Sequence, residues 1–135
     1  MLTIRKSVAD AVIAHARAAS PLEACGYLAE KDGQIVRFFP LKNVDQSAEH
    51  FSFDPAEQFS VMRAIRSDSL TAAAVVHSHP NTPARPSQED LRLARDPNIS
   101  YVIVSLAGNE PVVKSFRIRD CQATPEDIVV SQEQS

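Results

Sequence analysis

The sequence predicts an α/β fold, a mixed β-sheet sandwiched by helices, on three observations. Short apolar runs of strand length alternate with stretches of helical period. Residues 70–76 are too apolar for a strand with a wet face, which puts them in the middle of a sheet covered on both sides. The chain has 135 residues, 44% of them AVILMFWYC, enough for one real core. A single domain over residues 1–135 is expected, with about 122–135 as a C-terminal tail.

Ser7-Val8-Ala9-Asp10 reads as a capping-box start with Asp in place of Glu, and Val8, Val12 and Ala16 recur every fourth residue. This helix ends by Ser20-Pro21. Residues 25–29 and 35–39 flank Lys31-Asp32-Gly33, a short glycine-bearing loop that predicts a hairpin. Residues 41–53 are irregular. Asp54-Pro55-Ala56-Glu57 then supplies an N-cap, a first-turn proline and an acidic third residue, with Phe59, Met62 and Ile65 as the expected buried stripe. His77 and His79 end the central strand. Pro80, Pro83 and Pro86 cannot donate to a ladder, so they define a loop. Ser87-Gln88-Glu89-Asp90 opens a helix with Leu91 and Ala94, and Pro97 closes it. Residues 99–106 and 112–118 read as two strands joined across Gly108-Asn109. Beyond Cys121 the signal weakens to a helical turn at Thr124-Pro125-Glu126-Asp127 and a frayed end at 132–135.

Composition excludes several classes. Fourteen Lys and Arg against 17 Asp and Glu give a net charge of −3, so no overall positive field favours nucleic acid. Two cysteines, Cys25 and Cys121, are too few for a disulfide scaffold or a four-thiolate metal site, and a reducing compartment fits best. Asp10, His15 and Arg17 interrupt any secretion-signal core, and no run approaches the roughly 20 apolar residues of a membrane span. The expectation is a soluble cytoplasmic protein.

The chemistry concentrates at His77 and His79. Two residues apart on a strand, they share a face about 7 Å along it, so both imidazoles can aim at one point. Asp90 follows ten residues after His79, room enough for the proline-rich loop to return a carboxylate. Two imidazoles and a carboxylate suit zinc in hydrolases, leaving a fourth position for water with a pKa of about 7. An upstream acid must move that water's proton, and Glu23 is the candidate, although on spacing alone it is one of several.

The set Glu23, His77-Ser78-His79-Pro80 and Pro86-Ser87-Gln88-Glu89-Asp90 resembles the JAMM (MPN+) metalloprotease family in its compact prokaryotic form. Every motif position is filled, and Pro21 through Gly26, Asn43 and Phe53-Asp54-Pro55 extend the likeness. The resemblance implies that His77, His79 and Asp90 bind zinc, that Glu23 is the general acid/base, and that Ser87 donates to the tetrahedral oxyanion. It also implies a cytidine-deaminase-like JAB/MPN fold. By the same resemblance the substrate is a ubiquitin-like sulfur-carrier protein with a diglycine tail, or its adduct, cut at a peptide or isopeptide bond. Such a tail is expected to pair with a free strand edge beside residues 80–86. Neither nucleic acid nor membrane is an expected partner; oligomeric state is open, and an exposed edge strand makes a dimer unsurprising.

Rival readings stand beside this one. A catalytically silent MPN scaffold would lack part of the metal set, and none is missing here. Residues 77–90 also resemble the nucleic-acid-associated RadC family, against which the acidic balance argues; a small-amide substrate is open. Ser87 and Asp90 also make sense as a helix cap, Glu23 as a surface acid, and Cys25 as a buried structural thiol. A Cys25 nucleophile paired with His77 would leave Asp90 and His79 without a task. His15 and His50 default to the surface, and Arg85, Arg92 and Arg95 to a solvated face.

Overall fold

The computed structural model describes residues 1–132, so the expected frayed end lies, apart from Gln132, outside the described residues. The chain runs β1 (Leu2–Arg5), α1 (Lys6–Ala19), β2 (Cys25–Lys31), β3 (Gln34–Leu41), α2 (Pro55–Ser67), β4 (Thr71–His79), α3 (Gln88–Leu93), β5 (Ser100–Ser105), β6 (Val112–Arg119), β7 (Gln122–Glu126) and β8 (Ile128–Ser131). The strands form one mixed eight-stranded sheet in the order β7-β6-β5-β4-β2-β3-β1-β8. β4 is central as expected, antiparallel to β2 and parallel to β5. Only Asp127 separates β7 from β8, yet they occupy opposite ends of that order. The sheet therefore curls until its ends meet.

The curl encloses α1. Val8, Val12 and Ala16 of this helix pack on Leu2, Ile4, Leu28, Ile35, Val76 and Val104 to form the main core. The opposite face carries two smaller clusters. Cys25, Tyr27, Ala29, Phe39 and Leu41 meet Ile65 of α2, whereas Ile103, Phe116 and Ile118 meet Leu91 of α3 and its C-cap residue Ala94. Gly26 sits where β2 and β3 approach closely, and a Cβ there would lie 2.4 Å from the Phe39 carbonyl oxygen. The β2–β3 hairpin turns on Asp32 and Gly33, with φ of 54° and 79°, the left-handed pair that a two-residue type I′ turn needs.

Four expectations are corrected. The first helix starts at Lys6 with an extended Arg5 as N-cap and no side-chain cap bond, so the Ser7 to Asp10 pattern is not its start. The reason is β1, whose buried Leu2 and Ile4 deliver the chain straight into the helix. In α2, Asp54 caps by accepting the Glu57 N–H at 3.0 Å, but Phe59 and Met62 are 58% and 36% exposed. Six residues separate Phe59 from Ile65, a rotation of about 120° off the contact face, which runs instead through Val61, Ala64 and Ile65. The turn expected at 124–127 is strand, and most of the expected tail belongs to the sheet through β7 and β8. Pro125 is tolerated because β7 has only one partner, β6, and Glu126 is drawn in by Ser100 and Ser115 hydroxyls at 2.7 and 2.8 Å. Finally, His15 is half-buried, edge-on to Phe38 at 5.4 Å, and burial lowers its pKa. Arg85, Arg92 and Arg95 are exposed. Among the described residues no helix is long and apolar enough to cross a membrane.

The β6–β7 hairpin turns on Asp120 and Cys121, both left-handed at φ of 51° and 61° without a glycine. A non-glycine residue there costs about 1–2 kcal/mol. Cys121→Gly is expected to raise stability by up to about 1 kcal/mol once glycine's greater chain entropy is counted, read as a higher urea midpoint at unchanged m-value.

Candidate metal centre

The end of β4 presents His77 and His79 on the face away from α1, both buried. The proline-rich loop then brings back α3, whose first turn is held by a full capping box. Ser87 Oγ accepts the Asp90 N–H, and the Asp90 carboxylate accepts the Ser87 N–H, each at 3.0 Å. The cap thereby fixes Asp90 Oδ2 at 3.1 Å from both His77 Nε2 and His79 Nε2, which are themselves 3.1 Å apart. Such a near-equilateral triangle of lone-pair donors suits a tetrahedral ion with bonds of about 2.0–2.1 Å, whose ligand atoms lie about 3.3 Å apart. Among the described residues, His77, His79 and Asp90 are the group of three able to hold a metal ion.

Glu23 lies not in a strand but in the turn between α1 and β2. Its backbone is anchored on both sides: its N–H donates to the Ser47 carbonyl at 2.7 Å, and its carbonyl accepts from Asn43 Nδ2 at 3.1 Å. The next residue is clasped to β4, because the Ala24 N–H donates to Ser78 Oγ at 2.7 Å and the Ser78 N–H to the Ala24 carbonyl at 2.9 Å. Ser78, between the two histidines, thus uses the opposite strand face to hold Glu23's neighbour. Glu23 is only 3% exposed, and among the described residues its Oε1 has no hydrogen-bond partner. A buried, unsatisfied carboxylate oxygen is costly and marks a place where a further polar group belongs.

The electrostatics follow from burial and neighbours. Burial pushes the Glu23 pKa up to about 8; the nearby His79 opposes this, whereas Asp90, Glu89 and Glu49 reinforce it. For Asp90 burial also disfavours the charge, but hydrogen bonds from His77, His79 and the Ser87 N–H hold its carboxyl well below the usual range. Burial lowers the His79 pKa, yet its bonds to Asp90 and to the Pro83 carbonyl raise it on balance. Cys25 is buried, donates to the Leu41 carbonyl at 3.6 Å, and burial pushes its thiol up to about 12, away from the reactive thiolate form. His50 is an exposed loop residue paired with Asp45 at 2.9 Å.

Between α2 and α3 the sheet is left uncovered, which the expectation of a fully sandwiched central strand missed. A groove of about 670 Å³ occupies this gap, floored by Ala72, Val75 and Tyr101, walled by Phe53, Met62 and Leu93, and ending at His77 and Asp90. From Thr71 to His77 it follows seven residues of β4, about 20 Å of extended chain. Among the described residues there is no free strand edge beside residues 80–86, contrary to expectation, because β4 is paired on both sides and the sheet's outer strands are β7 and β8. Sequence reasoning also missed Phe51, stacked on His77 with ring centroids 4.8 Å apart, and the bracing role of Asn43. Irregular loop residues carry no period that would have flagged them.

The family model for prokaryotic homologues of the JAB domain matches residues 5–119. The CysO-cysteine peptidase of Mycobacterium tuberculosis is 35% identical over 136 residues, covering 98% of this chain and 93% of that protein. A desampylase of Haloferax volcanii is 32% identical, covering 79% of this chain and 82% of its own length. The solution structure of a Desulfitobacterium hafniense protein superposes with a TM-score of 0.90 at 46% identity, covering 98% of this chain and 94% of that one.

Glu23 makes the fold pH-sensitive when no metal is bound. Its carboxyl keeps its proton up to about 8 in the fold but only to about 4.5 when exposed, so the folded state binds more protons between these values. Stability of chelator-treated protein should therefore fall as pH rises from about 5 to 8, with His79 adding the same sign. Urea melts across this range should show the slope, and Glu23→Gln should flatten it; an equal slope in the variant would reject the account.

Proposed function

The chain belongs to the prokaryotic JAB-domain family, and from that premise we propose that it is a zinc-dependent metallopeptidase. Its substrate on this reading is a peptide or isopeptide bond at the C-terminal, diglycine-bearing tail of a ubiquitin-like sulfur-carrier protein or its adduct. The observation that carries the reading is the triangle of His77, His79 and Asp90 beside Glu23, a buried acid whose Oε1 has no partner among the described residues. Nearly full-length similarity to a CysO-cysteine peptidase, and similarity over about four fifths of the chain to a desampylase, support the substrate class.

His77, His79 and Asp90 would hold the zinc, with neutral imidazole Nε2 atoms and an ionised carboxylate as donors. When bound, the ion supplies Lewis acidity, polarising a carbonyl, acidifying water to a pKa of about 7 and drawing the Glu23 pKa down. Glu23 then does the proton work: its carboxylate takes a proton from water and returns it to the departing amine. A pKa held up by burial keeps the carboxyl close to neutrality, where one group serves as base and then as acid. Ser87 Oγ spends a lone pair on the Asp90 N–H, which leaves its O–H to donate to a developing oxyanion. The groove along β4 offers an extended tail an apolar bed that leads to the metal donors. The reading includes a cytoplasmic location, which two unpaired cysteines support.

Elemental analysis of purified protein should find about one zinc per chain, lost in His79→Ala together with all cleavage of a carrier adduct. Glu23→Gln should keep the zinc and lose turnover. A Glu23→Gln enzyme with full turnover would sink the proton-transfer role. Ser87→Ala should lower kcat by about 10²-fold or more, since it removes an oxyanion donor and loosens the Asp90 cap together.

A further inference from the structure

The two histidines are oriented by different means. His79 is held through its second ring nitrogen: Nδ1 lies 2.9 Å from the Pro83 carbonyl, the outer hydrogen bond that metal-binding histidines usually make. His77 forms its hydrogen bonds through Nε2, and among the described residues its Nδ1 forms none. On the ring's face lies Phe51, stacked on it at 4.8 Å with 27° between the planes.

Phe51 is itself held from three directions. Asn43 grips the residue on each side of it, donating to the His50 carbonyl at 3.0 Å and accepting the Ser52 N–H at 3.3 Å. The Ser52 carbonyl accepts the Val44 N–H at 3.1 Å. Behind Phe51 the rings continue to Phe53 at 5.5 Å and on to Tyr27 at 5.1 Å, whose hydroxyl accepts from Gln58 of α2 at 2.7 Å. The same Asn43 amide also holds the Glu23 carbonyl. One side chain therefore sets both the acid and the ring that faces the first histidine.

We infer that Phe51 is a positioning residue for His77, replacing by ring stacking the outer hydrogen bond that this ligand lacks, and that it governs how firmly the metal is kept. The inference rests on the reading that His77, His79 and Asp90 hold zinc. A stacked ring stops the imidazole from rotating about its χ2 bond, so Nε2 stays aimed between His79 and Asp90. Removing it frees that rotation without touching any metal donor.

The test is zinc affinity and release rate, measured by competition with a chromophoric chelator on protein loaded to one zinc per chain. Phe51→Ala should weaken binding by about 10- to 100-fold, the usual cost of losing an outer partner of a metal ligand. Phe51→Tyr, which keeps the ring, should restore it. Phe51→Leu keeps apolar bulk and protects the fold, yet has no ring to stack, and should show most of the loss. Phe53→Ala, one ring further out, should stay within about threefold of wild type. Wild-type zinc affinity and release in both Phe51→Ala and Phe51→Leu would overturn the inference, as would a Phe53→Ala loss as large as that of Phe51→Ala. A wild type that takes up no zinc would overturn the metal reading and this inference with it, a result distinct from a loaded wild type that the Phe51 variants leave unchanged.

Discussion

Two reciprocal hydrogen bonds between Ala24 and Ser78 fix the geometry on which the rest of the site depends. They extend the β2–β4 pairing one step past the register of Cys25 opposite His77, just where the chain leaves β2 for Glu23. The acid comes from a turn and the histidines from a strand, and nothing in either segment alone sets their separation. Sheet hydrogen bonding supplies a rigid ruler between them. Because Ser78 faces away from the metal donors, this bracing competes with none of the groups that do chemistry.

The site is built from three kinds of segment that differ in rigidity. The histidines stand on a strand paired along both sides, Asp90 on a six-residue helix kept in place by its own capping box, and Glu23 on a turn sutured by Asn43 and Ser47. A helix this short has no intrinsic stability. Its reciprocal cap and its contact with Ile103 and Phe116 through Leu91 and Ala94 make up the difference. The Asp90 carboxylate serves the cap and the ligand triangle at once, so local folding and metal chemistry cannot be separated there.

Legibility in the sequence followed the range of the interaction. The hairpin around Asp32-Gly33, the proline-broken loop and the Ser87 to Asp90 cap were readable because each is decided within a few residues. His77 and His79 were readable because a strand's two-residue period puts them on one face. Glu23 needed a family resemblance, since its burial is decided by Asn43, Ser47 and Ser78 far along the chain. β1 and β8 were unreadable for the same reason: each is four residues long, and their pairings, β1 with β3 and β8 with β1, are set by distant parts of the chain. Phe59 and Met62 misled because their apolar character matches a buried stripe whose helical angle they do not share. The β6–β7 hairpin was hidden by its Asp120-Cys121 turn, which lacks the glycine that announces such turns.

The meeting of the sheet's two ends sets an order of assembly. Leu2 pairs with Ile128 and Arg5 with Ser131, so closure joins residues separated by almost the whole chain. Contacts of that sequence separation form late, after the entropy of the intervening loop has been overcome. The pairing of β2 with β4 and the Ser87–Asp90 cap, which shape the site, lie within far shorter stretches of chain, so they need not wait for the sheet's ends to meet.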